Sequence, residues 1–216
     1  MKKTGLKNLI HLAQRKKISN DFFTLRTYFF ANLAPSREKF LCVLCAFVGK
    51  TMKYFILKNN HYSLPPHGCI HLGTTEQKIQ FRFDKNCIYQ VDEKNDFTNK
   101  LFGWSYGMHH KNSIRVGWRP AFDSETSKKI DLFFYSYNNG IRKIEYFHSV
   151  YAMVDYNITI RIQPENNTVL FQISEFIKEE FPFVLPKTTV GYFLYPYFGG
   201  SATAPHLITI NLKRLN

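Results

Sequence analysis

The sequence has 216 residues, which is enough for one domain of ordinary size and an extension. Charged residues make up 21% of the chain and hydrophobic residues 44%, and this composition excludes an intrinsically disordered protein. The net charge of +13 points towards nucleic acid, but residues 1–51 hold 10 Lys and Arg against 2 acidic residues. Residues 52–216 are only mildly basic, so nucleic acid is not the expected partner.

The first 51 residues form a basic extension whose apolar positions follow no clean period. We expect it to be poorly structured or partly helical, with Leu6, Ile10 and Leu12 on a short basic helix that also suits a membrane surface. Met52 is followed at once by a strand pattern, so an alternative expectation is that Met52 is the native start. The apolar run 40–48 is too short to span a bilayer, and the sequence predicts no transmembrane segment and a soluble, cytoplasmic protein.

From Met52 onwards, short aromatic-rich strands alternate with turns. The chain contains 21 Phe, 13 Tyr and 2 Trp, and aromatic residues favour strands. One short helix is predicted at Ser174–Glu180, and Asn139-Gly140 predicts a tight hairpin. The predicted strands are 53–58, 69–73, 78–84, 87–91, 101–109, 113–119, 129–137, 141–150, 156–162, 168–173, 190–197 and 207–213. This pattern indicates an all-β domain over residues 52–216, a two-sheet antiparallel β-sandwich of the jelly-roll type.

The predicted hairpin of strands 101–109 and 113–119 has two different faces. One face is apolar and includes Trp104 and Trp118. The other face carries glycines, serines, Arg115, Arg119 and His109, an arrangement that also suits an ordinary solvated surface. A three-residue loop at 110–112, with Asn112 in the left-handed conformation, would place Tyr106 opposite Val116 and Gly107 opposite Arg115. We interpret this second face as a shallow glycine floor with polar walls.

Tyrosine combines a flat ring, which stacks on sugar rings, with a hydroxyl group that hydrogen-bonds to sugar hydroxyls. Arginine and histidine add planar donors. The sequence therefore predicts a carbohydrate-binding sheet face, although core packing is the commoner role for each tyrosine alone. The candidate ligand-binding residues are Arg115, Arg119, His109, Tyr135, Tyr137, Arg142, Tyr195, Tyr197 and His206.

The aromatic strands, the hairpin Phe102–Trp118 and the closing run YPYFGGSATAPHLITINL resemble the concanavalin A-like lectin and glucanase superfamily. The resemblance covers about residues 52–216 and implies a jelly roll that binds or cleaves a glycan, or polysaccharide, on a concave sheet. The ExDxxE strand of its glycanases and the RxExR and QIH motifs of its alginate lyases are absent. No catalytic residue is therefore transferred from the superfamily.

Three alternatives to simple binding stay open. A polysaccharide lyase could use Arg115, His109 and either Tyr195 or Tyr197, whereas a glycoside hydrolase needs two placed carboxylates and strand 129–137 offers only Asp131. The third alternative is a structural or assembly jelly roll, such as a phage or surface component, and a homo-oligomer fits any of them.

The sequence predicts no metal site and no cofactor, because it contains no HExxH motif and no His/Cys ligand set. A site assembled in space from His61, His109 and His206 is the weaker alternative. The cysteines are expected to be free thiols, and a disulfide between Cys69 and Cys87 is not readable from their spacing.

Overall fold

The computed structural model describes residues 49–66, 69–91, 98–200 and 202–215. The predicted amphipathic helix, the apolar run 40–48 and two of the four cysteines lie outside the described residues. The division at residue 51 and the start at Met52 therefore stay predictions. Within the described ranges, no helix has the length and apolar character that crossing a membrane requires.

The described chain is almost entirely β-structure. A 3₁₀-helix covers Lys85–Cys87, and a single α-helical turn, α1, covers Ser124–Ser127. The strands are β1 Thr51–Ile56, β2 Ser63–Leu64, β3 Ile70–Leu72, β4 Glu76–Phe83, β5 Asn99–Ser105, β6 Ser113–Pro120, β7 Lys129–Asn138, β8 Ile141–Tyr151, β9 Tyr156–Gln163, β10 Thr168–Gln172, β11 Lys178–Pro182, β12 Val190–Leu194 and β13 Ile208–Arg214.

These strands form two sheets. The seven-stranded sheet has the order β11-β10-β9-β4-β13-β1-β2, and the six-stranded sheet has the order β3-β12-β5-β6-β7-β8. Neighbouring strands in both sheets are antiparallel. The predicted fold class, an all-β two-sheet antiparallel sandwich, is confirmed.

The core lies between the two sheets and is built mainly from side chains that alternate along the strands. On β6, Ile114, Val116 and Trp118 are fully buried, and they meet residues such as Phe81 and Phe83 from β4. The rings of Phe83 and Trp118 are 5.0 Å apart between centroids. Large aromatic side chains bury much apolar area each, so this single cluster accounts for most of the hydrophobic stabilisation.

The hairpin of β5 and β6 has a different register from the predicted one. Phe102 pairs with Val116 and Gly103 with Arg115, because the loop spans residues 106–112 and the strand ends at Ser105. The left-handed residue is Gly107, with φ of 68°, and its N–H donates to the Val190 carbonyl at 2.9 Å. The pairing is displaced by four residues from the predicted one. Because side chains alternate with a period of two, an even displacement leaves each side chain on its predicted face.

The hairpin of β7 and β8 is the one that the sequence predicts. Asn139 and Gly140 both have positive φ, 53° and 85°, which a two-residue turn of this hand requires. Because the loop is this short, Tyr137 pairs with Arg142 across the two strands.

Two predicted elements are wrong. Residues 87–91 form no strand. The preceding strand β4 already lies between β9 and β13, so the chain that follows β4 has no unpaired strand beside it. The predicted helix Ser174–Glu180 is a turn followed by β11, and Ser174 Oγ accepts the Ile177 N–H at 3.1 Å. Tertiary packing decides this segment, since Phe181 is buried in the core.

Cys69 and Cys87 are both free in the structure. The Cys87 thiol is buried and donates to the Thr209 carbonyl at 3.1 Å. Cys87 therefore joins the 3₁₀-helix to β13 by a hydrogen bond rather than a covalent bond.

The stacked pair of Phe134 and Phe181, with centroids 4.6 Å apart, links the two sheets. We expect Phe134→Ala to lower the free energy of unfolding by about 3–5 kcal/mol, because it opens a cavity in a fully buried position. Denaturant unfolding measures this change. The matched control Phe176→Ala, at a side chain that is 93% exposed, should stay within about 0.5 kcal/mol of the parent protein. Equal effects at both positions would contradict the described core.

Candidate functional site

The candidate site lies on the outer face of the six-stranded sheet. On β6 the residues between the buried apolar ones are Ser113, Arg115, Gly117 and Arg119, and they therefore point away from the core. Arg115 sits at the centre, paired with Gly103 of β5 and Tyr135 of β7.

Arg115 is deeply buried for a charged residue, with an exposed fraction of 7%. Its Nε and Nη2 atoms are buried and have no hydrogen-bond partner among the described residues. Burial lowers the pKa of Arg115, since removing a guanidinium from water disfavours its charged form. A buried donor without a hydrogen-bond partner costs free energy, so the position of Arg115 needs a physical explanation.

Four tyrosines surround Arg115, and the interaction with each of them partly offsets the lowering of the Arg115 pKa by burial. They are Tyr135, Tyr137, Tyr192 and Tyr197. The guanidinium carbon lies 5.9 Å from the centroid of the Tyr135 ring. The Tyr135 and Tyr137 rings are 5.9 Å apart, edge to face. Arg115, Tyr137 and Tyr197 thus converge on one part of the sheet face, as the carbohydrate interpretation of the sequence requires.

Lys100 is a second buried cation in this group. Its Nζ lies 4.7 Å from the centroid of the Tyr135 ring and 5.8 Å from that of Tyr197. Burial, together with the charges of Arg115 and Arg142, lowers the pKa of Lys100 to about 8. The surroundings of Lys100 therefore disfavour the charged form of its ammonium group.

Two histidines from the β5–β6 loop border the same tyrosines. His109 Nδ1 is hydrogen-bonded to the Tyr192 hydroxyl, and the His110 ring meets the Tyr137 ring edge to face at 5.4 Å. Burial, followed by the charges of Arg115 and His110, lowers the pKa of His109 to about 4. Near neutral pH the His109 ring is therefore uncharged, with one ring nitrogen that donates a hydrogen bond and one that accepts a hydrogen bond.

We call these nine residues the Arg115 cluster, and they come from β5, β6, β7, β8, the β5–β6 loop and the segment around β12. The cluster consists of Lys100, His109, His110, Arg115, Tyr135, Tyr137, Arg142, Tyr192 and Tyr197. Arg142 and His110 are exposed, the outer tyrosines are half-buried, and Arg115 lies at the bottom.

The glycines of this face do not form an open floor. A Cβ at Gly103 would lie 2.0 Å from the Ile114 carbonyl oxygen, so Gly103 lets β5 and β6 approach each other closely. A Cβ at Gly117 would lie 2.6 Å from Thr98 Cγ2, so neighbouring side chains already fill that space. The predicted glycine floor is wrong, because the long side chains and strands around these glycines occupy the space beside them.

The charges on the two outer faces of the sandwich are arranged differently. On the seven-stranded sheet, Glu76 pairs with Lys78 and Arg161, and Asp84 pairs with Lys53 and Arg82. Ion pairs between described residues include none to Lys100, Arg115 or Arg142. The Arg115 cluster is therefore a concentration of positive charge that the described part of the chain leaves uncompensated.

Three predicted site residues lie elsewhere. Arg119 packs over the rings of Phe122 and Phe133, at 5.1 Å and 4.9 Å, further along β6. Tyr195 stacks on Tyr54 at 5.7 Å and packs against the core. His206 Nε2 is hydrogen-bonded to the Asn86 carbonyl at 2.7 Å, beside the 3₁₀-helix.

Three members of the cluster were missed by sequence reasoning. Simple alternation with Phe102 places Lys100 on the core face, but a β-bulge between the two residues turns it outwards. Tyr192 precedes the buried Phe193 on β12, so alternation along the strand predicts that Tyr192 points outwards. The sequence does not show where this strand ends, and the prediction could not be made without that boundary. His110 adjoins the predicted His109 but stands in the loop, where strand alternation gives no direction.

The weaker histidine alternative is not supported. His61 stacks on Tyr197, His109 bonds to Tyr192, and His206 bonds to the Asn86 backbone. A search of the described ranges found no group of three or more His, Cys, Asp or Glu that could hold a metal ion.

Comparison with known proteins finds similarity in fold only. No family model and no curated protein matches the chain. Among solved structures, a GH16 protein of the Bacteroides ovatus mixed linkage glucan PUL has a TM-score of 0.44 at 9% identity, over 76% of this chain and 81% of that one. An alginate lyase of polysaccharide lyase family 7 has a TM-score of 0.44 at 9% identity, over 75% and 76%. Galectin-Ib of Xenopus laevis has a TM-score of 0.35 at 16% identity, over 66% and 99%.

These three solved structures are at most 16% identical to this chain, and their TM-scores are 0.44 or lower. At these identities and TM-scores they transfer neither a residue role nor an activity to this chain. What the structure shows is the architecture, a two-sheet β-sandwich.

The low pKa of His109 gives a pH dependence with a definite sign. The folded-state pKa of about 4 lies below the ordinary histidine value of 6.5, so between these pH values the unfolded chain binds a proton that the folded chain does not. The contribution of His109 to stability is therefore full above about pH 6.5 and is lost as the pH falls towards 4. NMR titration of labelled imidazoles should show His109 neutral down to about pH 4.

In the Arg115→Met variant the His109 pKa should move upwards, because the guanidinium is the largest charge that lowers it. The exposed Arg161, on the other sheet, offers the control Arg161→Met, which should leave the His109 titration unchanged. An ordinary histidine pKa in the parent protein would contradict the described burial.

Proposed function

We propose that this protein binds carbohydrate through the Arg115 cluster. The observation that carries the proposal is a buried arginine whose Nε and Nη2 atoms have no hydrogen-bond partner among the described residues, set among four tyrosines on one sheet face. Sugars present flat C–H faces and hydroxyl groups, so their recognition needs both aromatic rings and hydrogen-bonding groups.

The aromatic part of the cluster is accessible where a sugar ring would lie. Tyr137, Tyr192 and Tyr197 are half-buried, so part of each ring or hydroxyl faces solvent, whereas Tyr135 is buried beneath them. Two of these rings are held by neighbours: Tyr137 by Tyr135 and His110, and Tyr197 by stacking on His61 at 5.5 Å. Rings held in this way lose little conformational entropy when a sugar stacks on them.

The hydrogen-bonding part lies between those rings. Arg115 supplies unpartnered donors, and Arg142 stands opposite Tyr137 at the rim. The tyrosine hydroxyls both donate and accept. Donors of fixed geometry close to aromatic rings support the recognition of sugar hydroxyls and favour binding over a purely structural role for this face.

Tyrosine substitutions test the proposal. We expect Tyr137→Ala or Tyr197→Ala to weaken oligosaccharide binding about three- to tenfold, on the scale of about 0.5–1.5 kcal/mol for one aromatic contact. The matched control is Tyr151→Ala, an exposed tyrosine at the far end of β8. A glycan array selects the ligand, and isothermal titration calorimetry measures its affinity.

The array must contain neutral, uronate-bearing and sulfated oligosaccharides. Binding of none of these classes by the parent protein would overturn the proposed function. Equal binding by the Tyr137→Ala, Tyr197→Ala and Tyr151→Ala variants would show that sugar binds elsewhere on the sandwich.

A second candidate function, cleavage by β-elimination, is favoured by the hydrogen bond between His109 and Tyr192 beside Arg115. In this reaction a base removes the proton on the carbon next to a sugar carboxyl group, a C=C bond forms, and the glycosidic C–O bond breaks. An acid then protonates the departing oxygen. The neutral His109 ring and the Tyr192 hydroxyl are groups of the right type for these two proton transfers.

Absorbance at about 235 nm reports the unsaturated product of such a reaction. A lyase should release this product from uronate polysaccharides, and Tyr192→Phe should lower the rate by about 10²-fold or more, because it removes the hydroxyl proton. The control Tyr151→Phe should keep the parent rate. Binding of uronate polysaccharides without any rise in absorbance would reject cleavage and retain binding.

A further inference from the structure

We propose that the ligand of the Arg115 cluster carries an anionic group with at least two oxygens, a carboxylate or a sulfate ester, which Nε and Nη2 of Arg115 hold together. This inference rests on the proposed function and specifies the class of carbohydrate that the site takes. Three independent features of the cluster lead to it.

The first feature is which atoms of Arg115 are unpartnered. Nε and Nη2 carry parallel N–H groups along one edge of the planar guanidinium, and both lack a partner among the described residues. This edge forms a fork that matches the two oxygens of a carboxylate or sulfate group, giving two parallel hydrogen bonds. A single sugar hydroxyl offers one oxygen and satisfies only part of the fork.

The second feature is the balance of charge. Lys100 and Arg115 are both buried, and within the described ranges neither has an acidic partner. Burial, followed by the charges of Arg115 and Arg142, lowers the pKa of Lys100, and burial, followed by the charges of Arg115 and Lys100, lowers the pKa of His110. Buried charges are normally paired, and a neutral sugar would leave these cations unpaired, whereas an anion compensates them.

The third feature is how deeply each side chain of the cluster is buried below the surface of the sheet. Two exposed residues, the cation Arg142 and His110, lie at the rim, and half-buried Tyr137 lies next to them. Arg115 is the deepest donor. A sugar ring at the level of the tyrosines would therefore direct a small substituent inwards, and the charge of Arg142 at the rim would attract an anionic substituent as it approaches.

Matched pairs of oligosaccharides test the inference on the unaltered protein. One pair is a uronate oligosaccharide and its carboxyl-reduced form, and the other is a sulfated oligosaccharide and its desulfated form. Calorimetry near neutral pH should give an affinity at least about tenfold higher for the charged member of one pair, because hydrogen bonds to a charged group are the stronger ones. The pair that shows the difference identifies the group as carboxylate or sulfate.

The outcomes separate the inference from the function on which it rests. Equal affinities within both pairs would overturn the anionic group and leave carbohydrate binding intact. Failure of all four oligosaccharides and of neutral sugars would overturn the proposed function itself. Tight binding of free sulfate or of single-stranded nucleic acid, without affinity for the charged oligosaccharides, would overturn the inference in favour of a phosphate-type ligand.

Substitution of Arg115 tests the two parallel hydrogen bonds separately from the positive charge of the side chain. Arg115→Lys keeps a cation but loses the two parallel N–H groups, so we expect it to lose most of the preference for the charged oligosaccharide, about tenfold in affinity. Affinity for the uncharged member should change much less. The Arg161→Met control, on the opposite sheet, should leave both affinities unchanged.

Arg142→Met is a second variant that tests the same anion without a loss of stability, because Arg142 is exposed and its replacement creates no cavity. We expect it to reduce the affinity for the charged oligosaccharide and to make that affinity less sensitive to salt. Parent-like discrimination in both Arg115→Lys and Arg142→Met would overturn the assignment of the anion to this cluster.

Discussion

The alternation of side chains along β6 is the constraint on which the rest of the structure depends. Ile114, Val116 and Trp118 are buried completely between the sheets, so Arg115 must point to the opposite face. Because β6 has neighbours on both sides, Arg115 lies between side chains of β5 and β7 and is buried on that face as well. A surface position on an edge strand would have left the same arginine in water.

The packing of the core and the chemistry of the cluster are therefore linked through the backbone. Gly103 allows β5 to lie close against β6, and the bulge before Phe102 brings Lys100 to the same face as Arg115. The two cations share the Tyr135 ring. Charged groups held together without an acidic partner store unfavourable free energy, and such an arrangement is commoner at functional sites than in structural parts of a fold.

Several elements were predictable because they depend on local chemistry. The turn Asn139-Gly140 needs two residues that tolerate positive φ, and this short turn fixes the pairing of Tyr137 with Arg142. The apolar face of β6 is readable from its period of two. Lys178–Pro182 was not predictable as a strand, because its pairing with β10 and the burial of Phe181 are contacts between distant parts of the chain.

The sequence by itself determined the all-β class, the turn of the β7–β8 hairpin and the face on which Arg115, Tyr135 and Tyr137 lie, since these follow from alternation and turn chemistry within a few residues. Only the tertiary structure decided which candidates meet. It brings Lys100, Tyr192 and His110 to Arg115, and it places Arg119, Tyr195 and His206 elsewhere. Register, bulges and strand order depend on pairing between strands far apart in sequence, which no local pattern specifies.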